Sequence, residues 1–120
     1  MKAKTYQKYI SVSPTKILRY SRELKKGESV NMAIAKLSYI PSKGAKILKD
    51  ALKHAKANLI FKSSEQNVEY DESKFTIDTI LVQKAPTLKR LRPRGRGRAD
   101  IIHKRKSHIF VEITDGMMEE

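Results

Sequence analysis

The chain contains no cysteine, which removes disulfides and thiolate metal sites together. It has no apolar run near the ~18 residues that a membrane-spanning helix needs, and no lipidation motif. Its opening, Met1-Lys2-Ala3-Lys4-Thr5-Tyr6, has no apolar stretch behind it, so no signal peptide is expected. No internal repeat is found. Above all the chain is short of acid, with 13 Asp and Glu against 26 Lys and Arg and a net charge of +13. These absences argue against a disulfide scaffold and against a membrane protein. They point to a cytoplasmic chain in a reducing compartment.

A positive charge of that size is costly to hold on one small body unless a polyanion neutralises it. At 120 residues the chain is read as a single domain, 1–120, with room for a modest core. Its hydrophobic fraction is 39% and its charged fraction 32%, a polar balance. Long apolar-periodic stretches nevertheless survive, which excludes a wholly disordered chain.

The first dozen residues, ending Tyr9-Ile10-Ser11-Val12, read as a short strand. Ser13-Pro14 is a helix start, a capping hydroxyl followed by proline at the first helical position. Ile17, Leu18, Ser21 and Leu24 form one face of that helix, and Gly27 is its expected stop. A second helix opens near Ser29, turns Val30, Ala33, Ile34 and Leu37 inward, and ends at Pro41. Ser42 caps a third, longer helix in which Ala45, Leu48, Ala51, Leu52, Ala55 and Leu59 recur at helical spacing. Lys46, Lys49, Lys53 and Lys56 stand on another face of it, which is read as solvated. Ser63 to Ser73 is expected to be a loop, inside a stretch rich in acid. Phe75 to Val82 and His108 to Ile113 are expected strands, and Asp115 to Glu120 an acidic tail.

Between those two late strands lies the most informative segment, 84–106. Lys84, Lys89, Arg90, Arg92, Arg94, Arg96, Arg98, Lys104, Arg105 and Lys106 crowd it, and Asp100 is its only acid. If the flanking strands pair antiparallel, the segment is an extended hairpin arm with Pro93-Arg94-Gly95-Arg96-Gly97 at its turn. Ten residues each way, at ~3.3 Å per residue, would project the tip roughly 30 Å. The arm has few apolar side chains to fold around, so burial cannot offset its conformational entropy. Contact with phosphates can, because arginine offers a planar fork of donors and stacks on bases. A solvated basic linker has the same charge. However, it favours termini and has no use for Leu88, Leu91, Ile101 and Ile102.

Nothing supports an enzyme. His103 and His108 are five apart with no third ligand near them, so no metal and no cofactor are expected. Gly95-Arg96-Gly97 is no dinucleotide fingerprint, because Asp100 takes the place of the third glycine. The competing reading is an architectural DNA-binding protein whose β-ribbon arm reaches into the minor groove. The arginine-glycine tip lacks the apolar wedge such proteins use, beyond Pro93 and Leu91.

The arm Leu88-Lys89-Arg90-Leu91-Arg92-Pro93-Arg94-Gly95-Arg96-Gly97-Arg98-Ala99-Asp100 and the return Lys104-Arg105-Lys106-Ser107-His108-Ile109 resemble the hairpin of the bacterial large-subunit ribosomal protein family called L-twenty-two. Ser13-Pro14-Thr15-Lys16 and Ala51-Leu52-Lys53-His54-Ala55-Lys56-Ala57-Asn58 are also similar to that family. The resemblance covers nearly the whole chain in order. It departs at Gly95, where alanine is common, at Lys106, where threonine is usual, and in the acidic loop from Glu65 to Glu72.

The resemblance implies an α+β fold of three helices packed on a three-stranded antiparallel sheet, with a protruding hairpin at 84–106. It implies a structural part of the large subunit that binds large-subunit ribosomal RNA, assists early assembly and touches neighbouring large-subunit proteins. It does not imply a homo-oligomer. The tip, Leu88, Lys89, Arg90, Leu91, Arg92, Pro93, Arg94, Gly95 and Arg96, would line the peptide exit tunnel and meet the nascent polypeptide at its constriction. Changes there would alter macrolide tolerance and stalling. The RNA contacts expected are the cations of the arm together with Lys4, Lys16 and Arg19. These last three are placed beside the first helix start, whose free N–H groups suit a phosphate.

Overall fold

The computed structural model describes residues 2–115, so of the expected acidic tail only Asp115 lies among the described residues. The chain runs β1 (Lys2–Ile10), α1 (Pro14–Ser21), α2 (Val30–Ser38), α3 (Lys43–Glu65), β2 (Thr76–Lys84), β3 (Leu88–Arg94), β4 (Arg98–Lys104) and β5 (Ser107–Thr114). A single 3-10 turn, Glu72–Lys74, precedes β2.

Two sheets result. The first is antiparallel in the order β1-β5-β2, so the last strand of the chain is its centre. The second is the two-stranded ribbon β3-β4. This is the α+β fold of three helices on a three-stranded sheet with a projecting hairpin, and the ribbon brings the strands to five. In β5 burial alternates strictly: Ser107, Ile109, Val111 and Ile113 are buried and the residues between them are partly open. That is the period of a strand with one face covered.

Helix α3 supplies the covering layer. Ala45, Leu48, Ala51, Leu52, Ala55 and Leu59 are fully buried against Ile17, Val30, Phe75, Ile109, Val111 and Ile113. The alanines let neighbouring backbones approach, and each large apolar side chain taken from water contributes about 1.5–3 kcal/mol.

Several boundaries differ from the sequence expectation, each for a local reason. β1 lies within the first dozen residues read as a strand and is held by its ladder to β5, from Lys2↔Thr114 to Gln7↔Ile109. It ends at Ile10 rather than Val12, whose N–H turns back to the Ile10 carbonyl at 2.8 Å. The side chains of β1 are mostly polar and only Ala3 is buried. α1 ends at Ser21, whose hydroxyl donates to the Leu18 carbonyl at 2.9 Å, well before Gly27. The chain from Gly27 to Val30 instead docks on the start of β2, with Gly27 N–H to Ile77 C=O at 2.8 Å and Val30 N–H to Phe75 C=O at 3.0 Å. α3 continues to Glu65 because Ser63 is still buried. The rest of the expected loop includes the 3-10 turn, where Asp71 accepts from Ser73 N–H at 3.0 Å.

The lysine face of α3 is not uniform. Lys46 and Lys53 are exposed. Lys56, however, donates to Asn31 Oδ1 at 2.9 Å and pairs with Glu72 at 3.2 Å, tying α3 to α2 and the 3-10 turn.

Acid will weaken this body. A side-chain hydrogen bond from Lys36 holds the Glu28 carboxyl below its usual range, with the Lys25 N–H adding to it at 3.1 Å. Asp78 is raised by partial burial, but the hydrogen bond and charge of Lys2, with Lys26 beyond, outweigh that and leave it lowered. For a carboxyl lowered on folding, the unfolded chain binds more protons, so stability rises with pH across that window. The contribution is fully present above the ordinary range of about 3.9–4.3. It is lost as pH falls through the lowered folded values. The thermal midpoint should therefore be flat above about pH 5 and drop below about pH 4. A midpoint that rises below pH 4 would contradict these assignments.

Candidate nucleic-acid interface

The ribbon projects from the body. The molecule measures 67 Å along its long axis against 27 and 19 Å across. Its radius of gyration, 17.8 Å, exceeds the roughly 14 Å of a compact chain this size. Every residue from 89 to 101 is exposed. The ribbon continues the β2–β5 pairing beyond Lys84↔Ser107, through Ala85, whose N–H donates to the Lys106 carbonyl at 3.0 Å. Three residues on one side, Ala85 to Thr87, face two on the other, Arg105 and Lys106, before pairing resumes at Leu88↔Lys104. At the tip Arg94 pairs with Arg98, and Gly95-Arg96-Gly97 makes the turn, narrower than the Pro93–Gly97 span expected. Arg96 and Gly97 both take positive φ, +61° and +73°. Glycine bears this freely, whereas a side chain such as that of Arg96 costs about 1–2 kcal/mol there.

Antiparallel pairing sorts the ribbon into two faces, because opposed residues point the same way. Arg90, Arg92, Arg94, Arg98 and Lys104 share one face with Asp100 and, toward the base, with Leu88 and Ile102. Leu91, Pro93, Ala99 and Ile101 share the other, flanked by Lys89 and His103. Leu91 and Ile101 are opposed and stand 72% and 60% exposed. The cationic face is nearly unneutralised: Arg94 reaches Asp100 at 2.9 Å, and its other cations have no ion pair among the described residues.

A second cationic element lies where the ribbon joins the body. A cleft of about 1000 Å³ is lined by Lys16, Arg19, Lys43, Lys104, Arg105 and Lys106, and by no carboxylate. The starts of α1 and α3 both open onto it, at Ser13 and Ser42, and neither serine side chain makes a capping hydrogen bond. In α1, Pro14 has no N–H and Lys16 N–H donates to the Ser13 carbonyl at 3.2 Å, so the first-turn donors left for external acceptors come mainly from α3. Gly44 brings the two helices together. A Cβ there would lie 3.1 Å from the Lys16 carbonyl oxygen and 3.3 Å from the Tyr20 ring.

The structure thus brings Lys16, Arg19, Lys104, Arg105 and Lys106 into one site, and it adds Lys43, which sequence reasoning passed over. Lys84 stands exposed at the ribbon base. Lys4 is elsewhere. It lies toward the far end of β1, in a separate cleft with Asn58, Phe61, Lys62 and Glu112, and not beside α1 as expected. The extended course of β1 separates it from the helix start. His103 sits on the ribbon and His108 on the sheet. Among the described residues no three His, Cys, Asp or Glu side chains form a metal-holding group. Nor is any helix there long and apolar enough to cross a membrane.

The molecule is a helix-on-sheet body with a protruding ribbon that exposes a row of arginines on one face. The model of one family, ribosomal protein L22p/L17e, matches residues 5–114. The large ribosomal subunit protein uL22 of Desulforamulus reducens is 41% identical over 115 residues, covering 96% of each chain. That of Clostridioides difficile is 40% identical, over 96% of this chain and 98% of its own, and that of Roseiflexus castenholzii 37%, over 97% of each. This chain belongs to the ribosomal protein L22p/L17e family.

Proposed function

We propose that this chain is a structural constituent of the large ribosomal subunit that binds large-subunit ribosomal RNA through the ribbon and the cleft at its base. The observation that carries the reading is the ribbon itself, with Arg90, Arg92, Arg94 and Arg98 on one exposed face. Such a row is nearly unpartnered within the fold and suits a phosphate backbone, where arginine binds in a bidentate manner. The cleft with Lys16, Arg19 and Lys43 would hold a second stretch of backbone.

In this reading residues 1–120 act as one domain, with 84–106 as the arm that assists early assembly. Its tip from Leu88 to Arg96 reaches the exit tunnel, with the nascent polypeptide on one side and neighbouring large-subunit proteins around it. The relatives named large ribosomal subunit protein support this setting, and the 67 Å length supports the reach.

Gradient sedimentation of the tagged protein from cells tests the reading. Recovery with large ribosomal subunits, resistant to washing at moderate salt, is the expected result. Recovery with chromosomal DNA and none with subunits would replace it with the architectural DNA-binding reading.

A further inference from the structure

The β1-β5-β2 sheet is covered by helices on one face only. An uncovered face of an antiparallel sheet is ordinarily polar. Here its central row, Tyr6, Phe110 and Leu81 in register across all three strands, is aromatic and aliphatic. Tyr6 and Leu81 are 44% and 47% exposed. His108 and Gln83 form the next row toward the ribbon.

The rings are arranged. Tyr6 lies 6.2 Å from Phe110 and 6.0 Å from His108 between centroids, and its hydroxyl donates to Gln83 Oε1 at 3.2 Å. The register of β1 breaks between Gln7 and Ile10, and within that bulge Tyr9 takes a φ of +57°. A bulky residue in that region is strained, and such strain gathers at functional positions. Its effect is to set the Tyr9 ring edge-on to His108 at 4.9 Å, while Tyr9 N–H donates to His108 Nδ1 at 3.1 Å. Tyr9 remains 57% exposed.

The charges on this face suit a polyanion. Lys8 stands 5.2 Å above the Tyr6 ring. The carboxylates of this face, Glu112 and Asp78, lie at the end away from the ribbon, where Lys2 stands 3.8 Å from the first and 3.3 Å from the second. Toward the ribbon this face carries no carboxylate among the described residues.

We propose that this open face is a stacking platform for unpaired bases of the RNA, with Tyr6 and Tyr9 as the stacking rings and Lys8 beside them for the adjoining phosphate. The inference rests on the RNA-binding reading above. An aromatic sheet face flanked by cations recognises splayed single-stranded bases, since every base offers a π face. The platform lies on the sheet whose β2 and β5 continue into the ribbon, so one RNA can engage both.

The test uses the full chain and a large-subunit ribosomal RNA transcript, comparing Tyr6→Ala, Tyr9→Ala and Tyr9→Phe with the parent at several salt concentrations. Each alanine variant should bind roughly 5- to 150-fold more weakly, the range for loss of one stacked base. The slope of affinity against salt should stay unchanged, because every cation that meets a phosphate is still in place. Tyr9→Phe should bind like the parent. If the parent binds RNA and the alanine variants bind equally well, the platform is refuted while the RNA-binding reading stands. Failure of the parent to bind refutes both. Crosslinks from Tyr6 and Tyr9 to another protein of the subunit, and none to RNA, would assign this face to a protein partner instead.

Discussion

Raising monovalent salt from about 50 to about 200 mM should weaken binding of this chain to large-subunit RNA by about 10³–10⁵-fold, the loss expected when 6–10 phosphates are neutralised. That range follows from the cations the fold leaves unpaired. Arg90, Arg92, Arg98 and Lys104 on the ribbon, with Lys16, Arg19, Lys43, Arg105 and Lys106 in the cleft, have no ion pair among the described residues. Each phosphate they neutralise releases condensed counterions, so affinity falls linearly on logarithmic axes. Replacing Arg90, Arg92 and Arg98 together by glutamine should lower the slope by about 0.7–0.9 for each phosphate left without its arginine. The three side chains are exposed on the ribbon, so folding should not change. A flat salt dependence, or a slope unaltered in the triple variant, would remove the electrostatic account of the ribbon.

The second large effect separates body from ribbon. Phe75→Ala should cost about 3–5 kcal/mol and Leu52→Ala about 2–5 kcal/mol. Both side chains are fully buried, Phe75 where β2 begins and Leu52 in the middle of α3. Small domains have only about 5–15 kcal/mol of stability, so either variant should lose a large part of it. Excising Lys89 to Arg98 should do no such damage. Each of those residues is exposed, and β3 and β4 pair only with each other. Chemical denaturation resolves the two cases. The core variants should show a lower midpoint, and the excision should keep a cooperative transition near the parent's. Loss of cooperativity on excision would mean that the ribbon contributes to the body after all.

Much of this architecture is legible in the residues. Ser13-Pro14, Ser29 and Ser42 mark three helix starts, and the alanine-leucine spacing of α3 announces its buried face. The β-branched runs of β2 and β5 are plain, and the arginine-glycine tip points to a turn. What stays hidden depends on long-range pairing. Nothing local says that β5 lies between β1 and β2. The cleft is not legible because Lys43 meets Lys16 and Arg105 only once Gly44 lets α1 and α3 touch. Lys4 misleads for the converse reason: nearness in sequence to α1 is undone by an extended strand. The alternation that segregates arginine from leucine along the ribbon is present in the sequence, as Arg90-Leu91-Arg92-Pro93-Arg94. It acquires meaning once the register with β4 is known.

The central claim is that the ribbon lies within RNA of the large subunit near the peptide exit tunnel. Crosslink mapping from photoreactive groups placed at Arg92, Arg94 and Arg96, in large subunits purified from cells, tests it most directly. The account predicts crosslinks to large-subunit RNA that lines the tunnel, and crosslinks to nascent chain from Arg96 in translating ribosomes. Crosslinks confined to surface RNA or to solvent-facing proteins, with none in the tunnel wall, would contradict it.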